Sequence, residues 1–164
     1  MQYADGVNED ITIYSFREMF IREIKAASRG NHSLSLVLLS IIPENKHINI
    51  LENTDSIIST FSRVVKTKLR ETDVSLHYGF NKLLILLPFT GKDNVNNVIV
   101  KLHNVYDTHS VIRRKTKGLD LVASSVTYPN DGKNGDKLLQ MLEENHFTIM
   151  EKIKASSKHM PDYL

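Results

Sequence analysis

The sequence predicts an α+β fold of the ferredoxin-like kind, an antiparallel central sheet flanked by helices. Three observations carry this. Setting aside a helix at each end, apolar periodicity runs strand–helix–strand–strand–helix–strand. The two middle strands are only a few residues apart, which fits a hairpin. Turn and capping chemistry falls at the boundaries between periodic segments. The order of elements does not by itself dictate a function, because this arrangement hosts many.

Each element follows from its own residues. Residues 14–28 carry Phe16, Phe20, Ile24 and Ala27 at helical spacing, and Gly30-Asn31 ends that helix. Leu34 to Ile42 is a short apolar run, read as a strand covered on both faces, and Pro43-Glu44-Asn45 breaks it. His47 to Leu51 alternates and predicts a short extra strand. Residues 54–69 form a second helix with Ile57, Ile58, Phe61, Val64, Val65 and Leu69 on one face and Arg63, Lys66 and Lys68 opposite. Thr54 or Asn53 can cap it, and Asp55 suits its positive end. The hairpin strands are Val74–Tyr78 and Leu83–Leu87. A helix from Lys92 to Asp107 presents Val95, Val98, Ile99, Leu102 and Val105. Leu119–Thr127 is the last strand, Tyr128-Pro129-Asn130-Asp131-Gly132 a turn, and Leu138–Ile153 the last helix.

Size and composition bound the function. A chain of 164 residues builds one domain with a proper core, here expected over residues 9–155 with flexible ends at 1–8 and 156–164, and a chain cut from a longer multidomain protein fits this layout. The net charge of +2 is too mild to demand a nucleic-acid or membrane partner. With no cysteine, disulfides, thiolate metal sites and a Cys nucleophile are excluded. The acidic, polar start is unlike a signal peptide, and the longest apolar run is too short to span a bilayer, so a cytoplasmic protein is expected.

The candidate chemistry is sparse. Seven histidines are scattered without paired metal spacing and read as structural or surface groups. Val111 to Lys117 is a basic run, read as a solvated loop. The most pointed pattern is Arg70-Glu71-Thr72-Asp73, at a helix end just before the hairpin. An arginine offers a planar fork of donors, an aspartate accepts, and a three-residue offset on a tight corner aims both to one side. The same pair also serves as a purely local device, with Arg complementing a helix dipole and Asp capping a turn.

From Glu9 to Ile153 the chain resembles the GGDEF family, diguanylate cyclases that make cyclic di-GMP from two GTP molecules. Against the family's D-x-L-T-G-L-x-N-R-R-x-F opening, EDITIYSFREMF keeps Ile11, Thr12, Arg17 and Phe20. Thr54-Asp55 stands for the family's Gly-Asp, with Asp55 at the guanine-contacting acid. HYGFNKLLILLP matches R-Y-G-G-D-E-F with its apolar strand and proline, and SSVTYPNDG matches the late S-x-G-V-A-x-Y-P-x-D-G. The fold this implies is the nucleotidyl-cyclase palm.

The departures fall on the chemistry. The signature turn reads Gly79-Phe80-Asn81-Lys82-Leu83, where the resemblance calls for a second glycine near GTP and an acid for Mg²⁺. Phe80 is bulky there, Asn81 is a poor ligand for a hard cation, and Lys82 brings positive charge. The family's D-x-D at the end of the first strand becomes Ser40-Ile41-Ile42. The segment that follows is shorter than in the family and loses the guanine-reading Asn. Phosphoryl transfer runs on positioning and on charge neutralisation by metal, so neither metal nor cyclase activity is expected, and no cofactor. What the resemblance leaves is its R-x-x-D product-inhibition corner, Arg70 and Asp73, with Lys101 at the family's basic position on the next helix. It implies a cyclic di-GMP receptor acting on a protein partner or an attached domain, with a homodimer possible. The alternative is an interaction or dimerisation module that has lost every ligand, with Phe80 in an exposed apolar patch.

Overall fold

A computed structural model describes residues 5–43, 54–79, 81–115 and 118–158. Its elements are α1 (Asp5–Gly30), β1 (Leu34–Pro43), α2 (Thr54–Lys68), β2 (Val74–His77), β3 (Lys82–Pro88), α3 (Lys92–Thr108), α4 (Ser110–Lys115), β4 (Leu119–Tyr128) and α5 (Gly135–Lys158). The strands form one four-stranded sheet in the order β2-β3-β1-β4. All its pairs are antiparallel, with Leu38 opposite Leu84 and Ser124, and Ser40 opposite Lys82 and Val122.

Side-chain alternation divides the core into two layers. Val37, Leu39 and Ile41 of β1 and Leu83, Ile85 and Leu87 of β3 face Ile57, Phe61 and Val65 of α2 and Val95 and Leu102 of α3. Leu34, Leu36 and Leu38 with Leu84 and Leu86 face the opposite way, onto Phe16, Phe20 and Ile24 of α1 and Leu138 and Leu142 of α5. Two faces that both need covering explain why β1 and β3 are nearly continuous apolar runs. At the start of α5, Gly135 lets α1 come close: a Cβ there would lie 3.1 Å from Ile24 Cδ1. Beside it Arg17 donates to both oxygens of Asp136 at 2.8 and 2.9 Å.

The ferredoxin-like order holds, with α2 and α3 on one face. Two expectations change. The basic run is not a loop as far as Lys115 but the short helix α4, because Ile112 is buried in the core while Arg113 and Arg114 stay outside. Helix α1 begins at Asp5 and α5 runs to Lys158, so residues 5–8 and 156–158, expected as flexible ends, are helical. The strand expected at His47–Leu51, the Asn53 and Thr54 caps, the Asp55 side chain and Phe80 lie outside the described residues.

Candidate functional site

The sequence-predicted residues fall at opposite ends of β3. Its seven residues, at about 3.3 Å each, separate the two groups by roughly 20 Å.

The first group lies where α2 hands over to β2. Helix α2 ends at Lys68, and the Asp73 amide closes the corner on the Arg70 carbonyl at 3.0 Å. The Asp73 carboxylate then turns back. It accepts from the Arg70 main-chain N–H at 2.8 Å, from Nε at 3.2 Å and from Nη2 at 2.9 Å. The same Nη2 donates to the Pro88 carbonyl at 2.7 Å and to Thr90 Oγ1 at 2.9 Å, which ties the corner to the far end of β3. The Asp73 side chain is 4% exposed and that of Arg70 53%. Nη1 of Arg70 has no partner among the described residues, so the guanidinium is pinned along one edge and open along the other. Lys101 Nζ reaches the Lys68 carbonyl at 3.5 Å, which places its ammonium at the end of α2, two residues before Arg70. Arg70, Asp73 and Lys101 are therefore brought together.

The second group sits at the turn of the hairpin. Gly79 and Asn81 have φ of +70° and +53°, conformations that glycine and asparagine tolerate best. Asn81 Nδ2 donates to the Ile41 carbonyl at 2.6 Å, bridging the turn to the end of β1. Ser40 is fully buried, its hydroxyl 2.6 Å from His146 Nε2, while Ser124 Oγ lies 2.8 Å from His146 Nδ1. A neutral imidazole donates from one nitrogen and accepts at the other, and two rotatable hydroxyls satisfy either tautomer. Burial, with the Lys82 ammonium nearby, pushes the His146 pKa down to about 4, which keeps the ring neutral. No sequence pattern singles out His146 as a partner of Ser40. Its one legible signal is position, since Leu138, Leu142 and His146 recur at four-residue steps on the buried face of α5.

A cleft of about 560 Å³ opens alongside, between Tyr78 and Lys82 of the hairpin and Glu143, Phe147, Met150 and Lys154 of α5. The Tyr78 hydroxyl donates to Glu143. Burial and this carboxylate push the phenol's pKa up.

Magnesium does not fit the turn. Ser40 is engaged by a histidine, the Asn81 amide is turned toward a carbonyl, and Lys82 is a cation, so none of these three positions offers a carboxylate. Among the described residues no group of three or more His, Cys, Asp or Glu could hold a metal ion. Asn81→Ala is expected to cost about 1–2 kcal/mol, from the lost bond to Ile41 and from placing alanine at positive φ. Urea unfolding of the two proteins measures it.

Comparison with known proteins agrees with this architecture. The family model "Diguanylate cyclase, GGDEF domain" matches residues 14–157. A Bacillus subtilis protein described as the uncharacterized membrane protein YdaK is 28% identical over 123 residues, 74% of this chain but 44% of the relative, so the chain spans less than half that protein's length. The GGDEF domain of YfiN (TpbB) from Pseudomonas aeruginosa superposes with a TM-score of 0.73 at 14% identity, covering 85% of this chain and 89% of that one. That of DgcB from Caulobacter crescentus, solved in complex with c-di-GMP, gives 0.69 at 13% identity, covering 85% and 84%. No described helix is long and apolar enough to cross a membrane. With a family model spanning almost the whole chain and the same sheet and helices in solved relatives, this chain belongs to the GGDEF family.

Proposed function

We propose that this GGDEF domain makes no cyclic di-GMP and instead receives it, through Arg70 and Asp73 with Lys101 beside them. The observation that carries the reading is the state of Arg70. Asp73, Pro88 and Thr90 hold its guanidinium in place, while the residue stays half exposed with its Nη1 donors open. A pre-oriented fork of this kind loses little side-chain entropy when it meets a guanine edge or a phosphate. Asp73 supports the site by positioning the arginine. The absence of carboxylates at Ser40 and Asn81 supports the lack of synthesis. A cytoplasmic setting and a regulated partner, attached or separate, complete the reading.

Titration calorimetry with cyclic di-GMP tests it. The wild type binds, and Arg70→Ala weakens binding by about 1.5–3 kcal/mol, or roughly 10- to 150-fold. A wild type that gives no heat at high ligand concentration ends the receptor reading. Incubation with GTP and Mg²⁺ is expected to yield no cyclic di-GMP, and product above the background of a protein-free control contradicts the inactive assignment.

One observation favours a second reading, an interaction module without ligand. Asp73 already accepts three N–H groups of Arg70, so the corner also stands complete as a local structural pair. The same calorimetry separates the two.

A further inference from the structure

We propose that Phe89 is the stacking platform for a guanine base of the ligand at Arg70; this rests on the receptor reading above. Phe89 is bracketed by the two residues that Arg70 Nη2 grips, Pro88 through its carbonyl at 2.7 Å and Thr90 through its hydroxyl at 2.9 Å. Its backbone therefore cannot move independently of the guanidinium.

Two features of Phe89 run against the needs of an unliganded fold. Its φ is +53°, a conformation that glycine and asparagine adopt readily and a bulky aromatic residue rarely does. It is also 65% exposed, so little is gained by holding the ring there. Strain kept at an exposed position is a mark of function. His32 covers one side of the ring, with centroids 4.0 Å apart and planes 27° from parallel. The ring thus has one aromatic neighbour, and it stands on the residue between the two that hold Arg70. An exposed aromatic ring on the segment that anchors a half-exposed guanidinium suits a purine. The ring takes the base by its π-face, and the arginine takes hydrogen-bond acceptors on the base edge or a phosphate. Stacking is tolerant of base identity, so Phe89 supplies affinity while Arg70, positioned by Asp73, reads the guanine.

The chain has no tryptophan, so Phe89→Trp introduces a single emitter at the platform. Cyclic di-GMP is expected to quench that emission, because guanine stacked on indole is an efficient quencher. Phe89→Asn keeps a residue suited to positive φ, so its melting temperature should not fall, yet its Kd for cyclic di-GMP should rise on the order of tenfold, within the range of one base–aromatic stack. Titration of wild type, Arg70→Ala and both Phe89 variants by calorimetry separates the failures. If wild type binds, Arg70→Ala does not, and Phe89→Asn binds like wild type or the tryptophan emission is unchanged at saturation, the platform is wrong and the receptor reading stands. If wild type gives no heat, both are wrong.

Discussion

Acidification from about pH 7.5 to about pH 4 is expected to remove about 3 kcal/mol of folding stability through His146 alone. The ring is held neutral, with its pKa lowered to about 4 from 6.5, first by burial and then by the charge of Lys82. Above pH 6.5 neither state binds the proton, and the contribution of the neutral ring is complete. Between 6.5 and about 4 the unfolded chain takes up a proton that the folded chain refuses, so stability falls as the pH falls. The slope approaches 1.36 kcal/mol per pH unit, and it levels off below about pH 4. Urea unfolding across this range measures the loss, with His146→Gln as the reference. Glutamine can still bond one of Ser40 and Ser124 but does not titrate, so subtracting its pH profile removes the contribution of the carboxylates. Asp136, whose pKa Arg17 lowers, keeps its contribution above about 3.8 and loses it only as the pH falls through its lowered value, beyond this window. A difference between wild type and variant that stays flat with pH would mean that His146 takes up its proton in the fold as readily as in the unfolded chain, contrary to its burial between Ser40 and Ser124.

Replacing Asp73 by alanine is expected both to abolish cyclic di-GMP recognition and to destabilise the domain by about 2–3 kcal/mol. The carboxylate is almost wholly buried and accepts from the Arg70 main chain and side chain, and bonds to a charged group are each worth about 1.5–3 kcal/mol. Part of that loss is returned as the freed guanidinium meets water. Arg70→Ala destabilises for the converse reason, since it leaves a buried carboxylate with only one main-chain donor. The pair therefore calls for a double-mutant cycle, in which Arg70→Ala and Asp73→Ala together cost less than the sum of the singles by at least about 1 kcal/mol. Additive losses would show that the two side chains act independently. Arg70→Gln distinguishes stability from recognition. It retains an N–H donor for Asp73 and removes the planar fork, so binding should fall much further than the unfolding midpoint does.

The two ends of β3 differ in how their polar groups are engaged. At the hairpin end, beside the cleft, a histidine sits between two serines and an asparagine amide donates to a carbonyl. At the other end a guanidinium stays half exposed, held by Pro88 and Thr90, and the residue between those two is an exposed phenylalanine at positive φ.

Period and turn chemistry determined the elements, because both are local. Apolar spacing placed α2, α3 and α5, unbroken apolar runs placed β1 and β3, and the missing acids at Ser40 and Asn81 were legible letter by letter. The six-residue helix α4 was not, since Val111 and Ile112 are too few to establish a period. The tertiary structure alone decided which helices cover which face of the sheet, with α2 and α3 on one side and α1 and α5 on the other. It alone seated His146 against Ser40, 106 positions away, closed Arg70 onto Pro88 and Thr90, and left Phe89 strained beside them. Periodicity records that a face is apolar but not what will cover it, and a serine in a strand gives no sign of the imidazole it will meet.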